Sequence, residues 1–391
     1  MTAIMIYVQH LLGIGHLMRA RLIAEALAGM GYDVHLVSGG SPVGGRMPRG
    51  VRTVQLPPIR VSDTSFTPLR DGNGVPIDDA YRQTRRDLLL AAYEAAAPAA
   101  VLFETFPFGR RALCFELVPL LERIESTHPR PRVIASIREI LQRQRKPDRE
   151  REMLGWAQRW FDAILVHGDP RFARLEDSFA LAAELAPPVH YTGFVLAPGD
   201  PPPPRDASIR REVVVSAGGG AVGIALLEAS LAARRLSRFG DLTWRVLAGP
   251  NVRQEDFERL LREAGPGAII ERARVDFPSL LRRAFVSLSQ GGYNTVMDVV
   301  TSGVRAAVVP FTGNGDTEQR VRALRLRDFD LAVVIESGHY TPALLASAVD
   351  EAGSRSSWGR WDFDSDGAVR SAQLVSAIIG AAAPQRVAPT S

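Results

Sequence analysis

The sequence predicts an α/β protein with two Rossmann-like domains that face each other across a cleft. Each domain is expected to be a parallel sheet with helices on both faces. In both halves of the chain, short apolar runs of strand length alternate with helical stretches, which is the pattern of βαβ units. The halves are separated by residues 198–211, where the run Pro201–Pro204 excludes a helix or a central strand. At 391 residues the chain is also too long for one ordinary core.

The first domain is assigned to residues 1–197. Apolar residues at helical spacing predict a helix over Leu17–Met30 that ends at Gly31. The segment Pro57–Pro76 has little periodicity and several turn formers, so we expect a long surface loop near a site. The apolar runs that predict strands are Ile4–Val8, Asp33–Ser38, Ala99–Phe103, Arg132–Ser136 and Ala163–His167.

The second domain is assigned to residues 212–380, where strands and helices alternate again. Helices are predicted from about Val222 and over Ala343–Glu351. The final helix, about Ala368–Ile379, is expected to pack back on the first domain and to precede a flexible tail at 381–391. The predicted strands are Glu212–Ser216, Thr243–Leu247, Phe285–Ser289 and Val304–Pro310.

Basic and acidic residues are interspersed along the chain, and the formal net charge is +4. Nucleic acid is not an expected partner, because there is no polybasic block. We interpret the small basic excess as solvated surface charge, and the alternative is contact with an anionic ligand or, peripherally, with an anionic membrane surface. The single cysteine, Cys114, fits a reducing compartment. No apolar run reaches the roughly 18–20 residues of a membrane span, and the start lacks a basic leader, so we expect a cytoplasmic protein.

The glycine-rich segment Gly13-Ile14-Gly15-His16 follows the first strand and opens the first helix. Glycines allow a ligand to approach the backbone, and the helix start offers free N–H groups. This is not the dinucleotide fingerprint, because Met18 takes the third glycine position and the second strand ends in Ser38 without an acid. At the carboxyl end of the sheet, His16 is either a functional residue or a histidine that packs at a turn.

Two acidic residues follow other strands of the same half. Glu104 could orient His16 and stabilise its protonated form. It could equally cap a helix or pair with Arg110 or Arg111. The pair Arg138-Glu139 has the same placement after a strand and the same ambiguity.

In the second half, two turns between a strand and a helix carry ligand-binding groups. The run Gly218-Gly219-Gly220 lacks a following Lys-Ser/Thr, so it is either a pyrophosphate loop of another type or a tight turn. The segment Ser289–Asp298 joins a double glycine to hydroxyl, amide and acid side chains, which suits a diphosphate at a helix start and a ribose diol on the acid. Further on, the carboxylate and amide of Glu318-Gln319 can bind vicinal sugar hydroxyls.

Taken together, these segments resemble the GT-B glycosyltransferases. The resemblance rests on Gly13–Arg19, Phe277, Gln290–Asp298 and Glu318-Gln319, and it covers nearly the whole chain in order and spacing. The most similar families are the peptidoglycan N-acetylglucosaminyltransferases and the inverting UDP-glycosyltransferases of small molecules. The resemblance implies transfer of a sugar, with inversion, from a nucleoside-diphosphate sugar to a small-molecule or lipid-linked acceptor. A UDP sugar is the expected donor.

The resemblance also implies a role for each matching residue. His16 matches the base that deprotonates the acceptor, and Glu104 matches the acid that pairs with it. On the acceptor side we place Gly13, Gly15 and Arg19, and, from their position after a strand, Arg138 and Glu139. On the donor side, Phe277 would frame the nucleotide base and Asp298 would bind the ribose. Glu318 and Gln319 would bind the sugar. The phosphates would lie on the loop formed by Gly291, Gly292, Asn294 and Thr295, with Gln290, Gly218, Gly219 and Gly220 nearby.

The chain departs from the family pattern at two positions. Gln290 replaces the histidine that often precedes the double glycine, and Arg322 stands where the families often have asparagine. The segment Gly13–Ala24 also resembles the GT-B nucleotide-sugar hydrolase of pseudaminic acid synthesis. A hydrolase, a GT-B epimerase and a non-catalytic nucleotide-sugar-binding protein therefore remain alternatives.

No metal and no cofactor are expected. The run Asp362–Gly367 resembles the start of an EF-hand loop, but the twelfth position is Gln373 and not the bidentate glutamate. We interpret it as a polar turn before the final helix. The leaving diphosphate would then be stabilised by N–H groups at a helix start.

Overall fold

The computed structural model describes residues 1–11, 13–44, 47–61, 68–144, 146–196, 211–218, 223–249, 252–274, 276–313, 317–336 and 340–381. Nearly all of the predicted linker and tail lie outside these ranges. The domain boundaries therefore stay predictions. The predicted architecture of two parallel sheets with helices is confirmed.

The first sheet has seven parallel strands in the order β3-β2-β1-β4-β5-β6-β7. The central strands are buried on both faces, because helices cover the sheet on both sides, and their sequences are accordingly almost continuous apolar runs. The chain proceeds in opposite directions from β1 and from β4, so a crevice opens at their carboxyl ends. The strands are β1 (Ala3–Val8), β2 (Asp33–Ser38), β3 (Val51–Gln55), β4 (Ala100–Glu104), β5 (Arg132–Arg138), β6 (Ala163–His167) and β7 (Val189–Tyr191).

The second sheet has six parallel strands in the order β10-β9-β8-β11-β12-β13. Its crevice lies between β8 and β11. The strands are β8 (Glu212–Ser216), β9 (Thr243–Ala248), β10 (Ala268–Arg272), β11 (Val286–Gln290), β12 (Arg305–Val309) and β13 (Val333–Val334).

Helices connect the strands in both halves. The first half contains α1 (Gly15–Gly29), α2 (Asp79–Ala96), α3 (Cys114–Ser126) and α4 (Pro147–Trp160). The second half contains α5 (Ile224–Arg234), α6 (Gln254–Glu263), α7 (Phe277–Arg283), α8 (Tyr293–Ser302), α9 (Glu318–Asp328), α10 (Pro342–Ser354) and α11 (Gly367–Gly380). No helix within the described ranges is long and apolar enough to cross a membrane.

The last helix, α11, lies against α1 of the first half. Ala372 and Val375 are buried in the same apolar cluster as Leu17 and Ile23. A 2.7 Å hydrogen bond from the hydroxyl of Tyr32 to Ser376 Oγ ties the same surfaces together. Helix α11 therefore covers one face of the first sheet.

An apolar core also joins the two halves. Phe172 and Phe194, from the first half, pack in one cluster with Val296, Leu326 and Phe363 from the second. The rings of Phe172 and Phe363 are edge to face, with centroids 5.4 Å apart. The halves are thus in apolar contact beside the cleft.

Two features differ from the sequence prediction. Strands β3, β7, β10 and β13 were not predicted. The segment Pro57–Pro76 was predicted as a surface loop, but Ile59 and Leu69 are buried in the core, and Arg60 pairs with Arg70 in an antiparallel bridge. Within its described part, the segment therefore packs onto the domain, because its few apolar residues point inward.

Candidate active site

His16 lies in the first turn of α1, where the chain leaves β1. Its Nδ1 is 2.9 Å from Oε1 of Glu104, the last residue of β4. The structure thus brings the two residues together at the crevice of the first sheet, because their strands are neighbours there.

Glu104 is almost completely buried and is surrounded by donors. Arg19 donates to Oε1, and Ser136 donates to Oε2 at 2.7 Å. Burial alone would raise the pKa of Glu104, but the Arg19 guanidinium and the hydrogen bond with His16 outweigh it and hold the pKa well below its usual range. Glu104 is therefore a carboxylate near neutral pH.

His16 is neutral at the same pH. Burial lowers its pKa well below the usual value, and the cations Arg138 and Arg110 add to the shift, against the opposing effect of Glu104. A neutral imidazole that donates Nδ1–H to Glu104 keeps its lone pair on Nε2. Nε2 is therefore the atom that can take a proton from a ligand.

Thr105 is held in a strained conformation next to this pair. Its φ angle is 77°, which is unusual for a β-branched residue, and its Oγ1 lies 3.1 Å from His16 Nδ1. Strain of this kind is retained where the surroundings enforce it, which is often at functional sites.

The glycine loop of the first half touches the double-glycine loop of the second. A Cβ atom added at Gly15 would lie 2.5 Å from Nδ2 of Asn294, so no larger residue fits without a shift. Asn294 belongs to the first turn of α8, directly after Gly291 and Gly292. The helix starts that carry His16 and Asn294 therefore meet across the cleft.

Tyr293 lies at the centre of this contact and is surrounded by arginines. The guanidinium carbons of Arg19, Arg138 and Arg322 are 5.6, 5.1 and 5.2 Å from its ring centroid. Burial raises the pKa of Tyr293 to about 12, and Glu139 adds to the shift, so the phenol is neutral. Its hydroxyl has no hydrogen-bond partner among the described residues.

Two ion pairs cross the cleft beside Tyr293. Arg138 Nη1 is 2.7 Å from Glu318 Oε1, and Arg322 Nη2 is 2.9 Å from Glu139 Oε1. Arg322 also lies 2.9 Å from Glu318, so the carboxylate of Glu318 is held by two guanidinium groups. Burial alone would raise the pKa of Glu318, but Arg138 and Arg322 lower it to about 2.

The predicted donor-side residues gather around the start of α8. A Cβ added at Gly218 would lie 3.6 Å from Thr295 Oγ1, and one at Gly291 would lie 3.0 Å from the carbonyl oxygen of Gln319. The side-chain oxygen of Gln319 accepts a 3.1 Å hydrogen bond from the backbone N–H of Phe311.

Asp298, Phe277 and Gln290 lie on the elements next to this loop. Asp298 is partly buried on α8, and burial raises its pKa to about 7, although Arg282 opposes the shift. Phe277 opens α7, which packs against α8, and Gln290 ends β11 and is buried.

Several predicted residues are placed differently from what their assigned role suggests. Gly13 is exposed and has nothing near its Cβ position, whereas Arg19 and Glu139 are buried in ion pairs behind the cleft surface. Gly219 and Gly220 lie outside the described residues.

Three polar residues that the sequence pattern does not single out continue inward from Glu104. Ser136, His167 and Thr192 are all buried and hydrogen-bonded in series. They stand at or near the carboxyl ends of β5, β6 and β7, which follow β4 in the sheet, and polar residues at these strand ends were the available signal. No cluster of three or more potential metal ligands occurs in the part of the chain that the structure describes.

Solved structures share this two-domain arrangement. The calicheamicin glycosyltransferase CalG4 aligns with a TM-score of 0.57 at 15% identity, over 97% of this chain and 94% of that protein. A UDP-glucosyltransferase from Polygonum tinctorium capable of glucosylating indoxyl aligns with a TM-score of 0.57 at 13% identity, over 97% and 99%. MurG from Acinetobacter baumannii aligns with a TM-score of 0.53 at 14% identity, over 97% and 98%. No curated protein sequence matches the chain.

These likenesses and the paired crevices define a protein of the GT-B fold class. Residues 240–357 match the family model described as the glycosyltransferase family 28 C-terminal domain. With that domain in the second half of a GT-B fold, the protein is a glycosyltransferase.

Proposed function

We propose that the protein is an inverting glycosyltransferase that uses a UDP sugar as donor and a small-molecule or lipid-linked hydroxyl compound as acceptor. The observation that carries the proposal is the His16–Glu104 pair at 2.9 Å, on a helix start that contacts the donor loop at Asn294. A base on one side of the cleft would thereby face an activated sugar held on the other.

In the proposed mechanism, His16 Nε2 takes the proton of the acceptor hydroxyl as its oxygen attacks the anomeric carbon. The new C–O bond forms on the face opposite the leaving diphosphate, whose bond to the sugar breaks, so the configuration inverts. Glu104 stabilises the imidazolium that forms, because its carboxylate already accepts Nδ1–H. The buried donors around Glu104 keep it ionised throughout.

The donor would bind along α8. Its diphosphate would lie on the N–H groups at the helix start after Gly291 and Gly292, and Asp298 would accept hydrogen bonds from the ribose. Glu318 and Gln319, at the start of α9, would bind the sugar hydroxyls. The carboxylate of Glu318 can accept more than the two guanidinium contacts, because it has about four lone-pair positions.

The charge of the leaving diphosphate would be offset by arginines instead of a metal ion. Arg110 donates to the backbone carbonyl of Gln9 and has no carboxylate partner among the described residues. Arg138, from the first half, and Arg322, from the second, both contact Glu318 in the cleft. Fixed cations and helix N–H groups stabilise developing negative charge without reorganisation at the moment of reaction.

The proposal is tested by measuring release of UDP from UDP-glucose, UDP-galactose and UDP-N-acetylglucosamine in the presence of EDTA. Each donor is assayed with water alone and with panels of phenolic, alcoholic and polyprenyl-linked acceptors. We expect acceptor-dependent release and a β-linked product by proton NMR, since these donors are α-linked. GDP and dTDP sugars serve as controls for the preference for uracil as the nucleotide base.

Other outcomes identify the alternatives. Equal release with water alone would indicate a hydrolase, and a donor converted to its stereoisomer would indicate an epimerase. Binding of UDP without turnover of any donor would indicate a binding protein. A requirement for added Mg²⁺ or Mn²⁺ would contradict the role given to the arginines.

A further inference from the structure

Glu104 has a second set of partners on the side away from His16. Ser136 Oγ lies 2.7 Å from Glu104 Oε2 and 2.8 Å from His167 Nε2, and His167 Nδ1 lies 2.9 Å from Thr192 Oγ1. The exposed fractions of Ser136, His167 and Thr192 are 2%, 0% and 0%, so water cannot replace these contacts. The series runs across the carboxyl ends of β4, β5 and β6.

We propose that Ser136 and His167 are positioning residues for the His16–Glu104 base pair, with His167 fixed as the neutral tautomer that carries its proton on Nε2. The inference rests on the proposed function, because it assigns these residues to the support of the base named there. Neither residue would touch a substrate.

The direction of each hydrogen bond follows from the number of protons. An ionised Glu104 can only accept, so Ser136 must donate its single hydroxyl proton to Oε2. The oxygen of Ser136 must then accept from His167, which places the proton on Nε2. Burial and the nearby Arg19 lower the pKa of His167 to about 3, so the ring is neutral and Nδ1 accepts from Thr192.

The alternative arrangement is less favourable. Thr192 Oγ1 is also 2.9 Å from the carbonyl oxygen of Gly193, so it could donate there and accept a proton from His167 Nδ1. Ser136 would then donate to His167, and Glu104 Oε2 would lose its only described donor. A hydrogen bond to a buried carboxylate is worth more than one between neutral groups, so the first arrangement prevails.

This series has a consequence for the base. With Oε2 held by Ser136, the carboxylate cannot rotate, and Oε1 stays on His16 Nδ1. The hydrogen bond from Ser136 also favours the ionised form of Glu104, which stabilises the imidazolium when His16 takes a proton. Removal of Ser136 should weaken both effects without changing any group that touches the donor.

The first test compares Ser136→Ala with Ser287→Ala, using the best donor and acceptor from the UDP-release assay. Ser287 is the matched control, because it is a fully buried serine on a strand of the other sheet, and its hydroxyl has no hydrogen-bond partner in the part of the chain that the structure describes. We expect Ser136→Ala to lower kcat about 10-fold, less than loss of the base, with an unchanged KM for the donor. Ser136→Thr, which keeps the hydroxyl, should restore activity, and Ser287→Ala should have no effect.

A double-mutant cycle separates positioning from general damage. In a His16→Ala background, Ser136→Ala should cause no further loss of kcat, because its effect passes through the base. Two outcomes overturn this inference and leave the proposed function standing. In the first, the fold-loss of kcat in the double variant equals the product of the two single losses. In the second, Ser136→Ala keeps the wild-type kcat while His16→Ala is impaired. Full turnover by His16→Ala removes the proposed base and this inference with it.

The tautomer of His167 provides a test that needs no turnover. Nitrogen-15 NMR of the full chain, assigned with His167→Gln, should show a protonated Nε2 and an unprotonated Nδ1 from pH 6 to 8. Thr192→Val should shift the Nδ1 resonance, because that nitrogen loses its donor. A protonated Nδ1 in the wild-type protein contradicts the proposed series.

Discussion

At the scale of single residues, the site depends on keeping one nitrogen of His16 free. Every described hydrogen bond to the ring involves Nδ1, and the neighbouring cations disfavour the protonated form. His16→Ala should lower kcat by about 10²–10⁴-fold, the usual contribution of a general base. Donor affinity, measured by calorimetry with UDP, should be nearly unchanged, because the donor is proposed to bind the other half.

A matched control for that variant is His35→Ala, which removes a histidine of β2 whose described side-chain hydrogen bond goes to Asp33. It should retain full turnover. Glu104→Gln should lower kcat less than His16→Ala does. The double variant should have nearly the same kcat as His16→Ala alone. If His16→Ala unfolds the protein, which circular dichroism would reveal, the residue is structural.

The low pKa of His16 predicts an unusual pH profile. A base acts only when unprotonated, so kcat/KM should stay level from pH 8 down through pH 6.5 and fall only in more acidic solution. Arg110→Gln removes a cation that lowers the pKa of His16, so the acidic fall should move to higher pH. The profile of kcat/KM for both proteins between pH 4 and 9 checks this, and an identical or downward-shifted fall in the variant would contradict it.

The residue-level predictions from sequence had a physical limit. His16 and Glu104 could be singled out because each follows a strand and because their motif resembles a known one. Ser136 and His167 ended strands that were predicted from the same sequence, but a serine and a histidine at a strand end have many structural roles. Only the strand order, which places β4, β5 and β6 side by side, reveals that they touch in series.

At the scale of elements, α8 combines a helix start with an acid on its second turn. Burial disfavours the charge of Asp298 and raises its pKa to about 7, so the residue titrates near neutral pH. Ribose hydroxyls that donate to the carboxylate would favour the charged form. The affinity for UDP-glucose, whose phosphates do not titrate near neutrality, should therefore rise between pH 6 and 8.

Calorimetry can check this together with a substitution. Asp298→Ala should cost about 1.5–3 kcal/mol of binding free energy at pH 8, and its affinity should not depend on pH over the same range. Asp328→Ala, at the far end of α9, is a suitable control. An unchanged affinity in Asp298→Ala would remove this residue from the donor site.

The sequence predicts the central strands of both sheets but not the strands at the sheet edges. Strands such as β1 and β11 are buried on both faces and are recognised by their apolar runs. Strand β3 contains only exposed and half-buried residues, and β7 and β13 have three and two residues. Edge strands are stabilised by pairing with a neighbour more than by their own composition, so a single sequence carries little signal for them.

At the scale of the whole molecule, buried ion pairs connect the two halves. Arg322 and Glu139 are both fully buried and lie 2.9 Å apart. Glu139→Ala should destabilise the protein by about 3 kcal/mol, because among the described carboxylates it leaves the buried guanidinium of Arg322 with Glu318 alone. The double variant Glu139→Leu with Arg322→Met should recover most of that loss, since apolar residues can replace a buried pair.

The free energy of unfolding of each variant can be measured by urea denaturation, with tryptophan fluorescence as the signal. Glu152→Ala is the control, because it breaks more exposed pairs with Arg111 and Arg149 and should cost less than about 1 kcal/mol. A double variant no more stable than Glu139→Ala would mean that the loss does not come from the unpaired charge of Arg322.

The packing of α11 on α1 has a consequence for how the protein is made. The helix that shields Leu17 and Ile23 starts at Gly367, 338 positions after α1 ends at Gly29. At roughly 5–20 residues per second of synthesis, about 20–70 s separate the emergence of the two helices from the ribosome. During that interval the nascent first half exposes an apolar strip that its own residues do not cover. The first half therefore completes its apolar packing only after α11 has been synthesised, and chains that terminate before Gly367 would be substrates for chaperones.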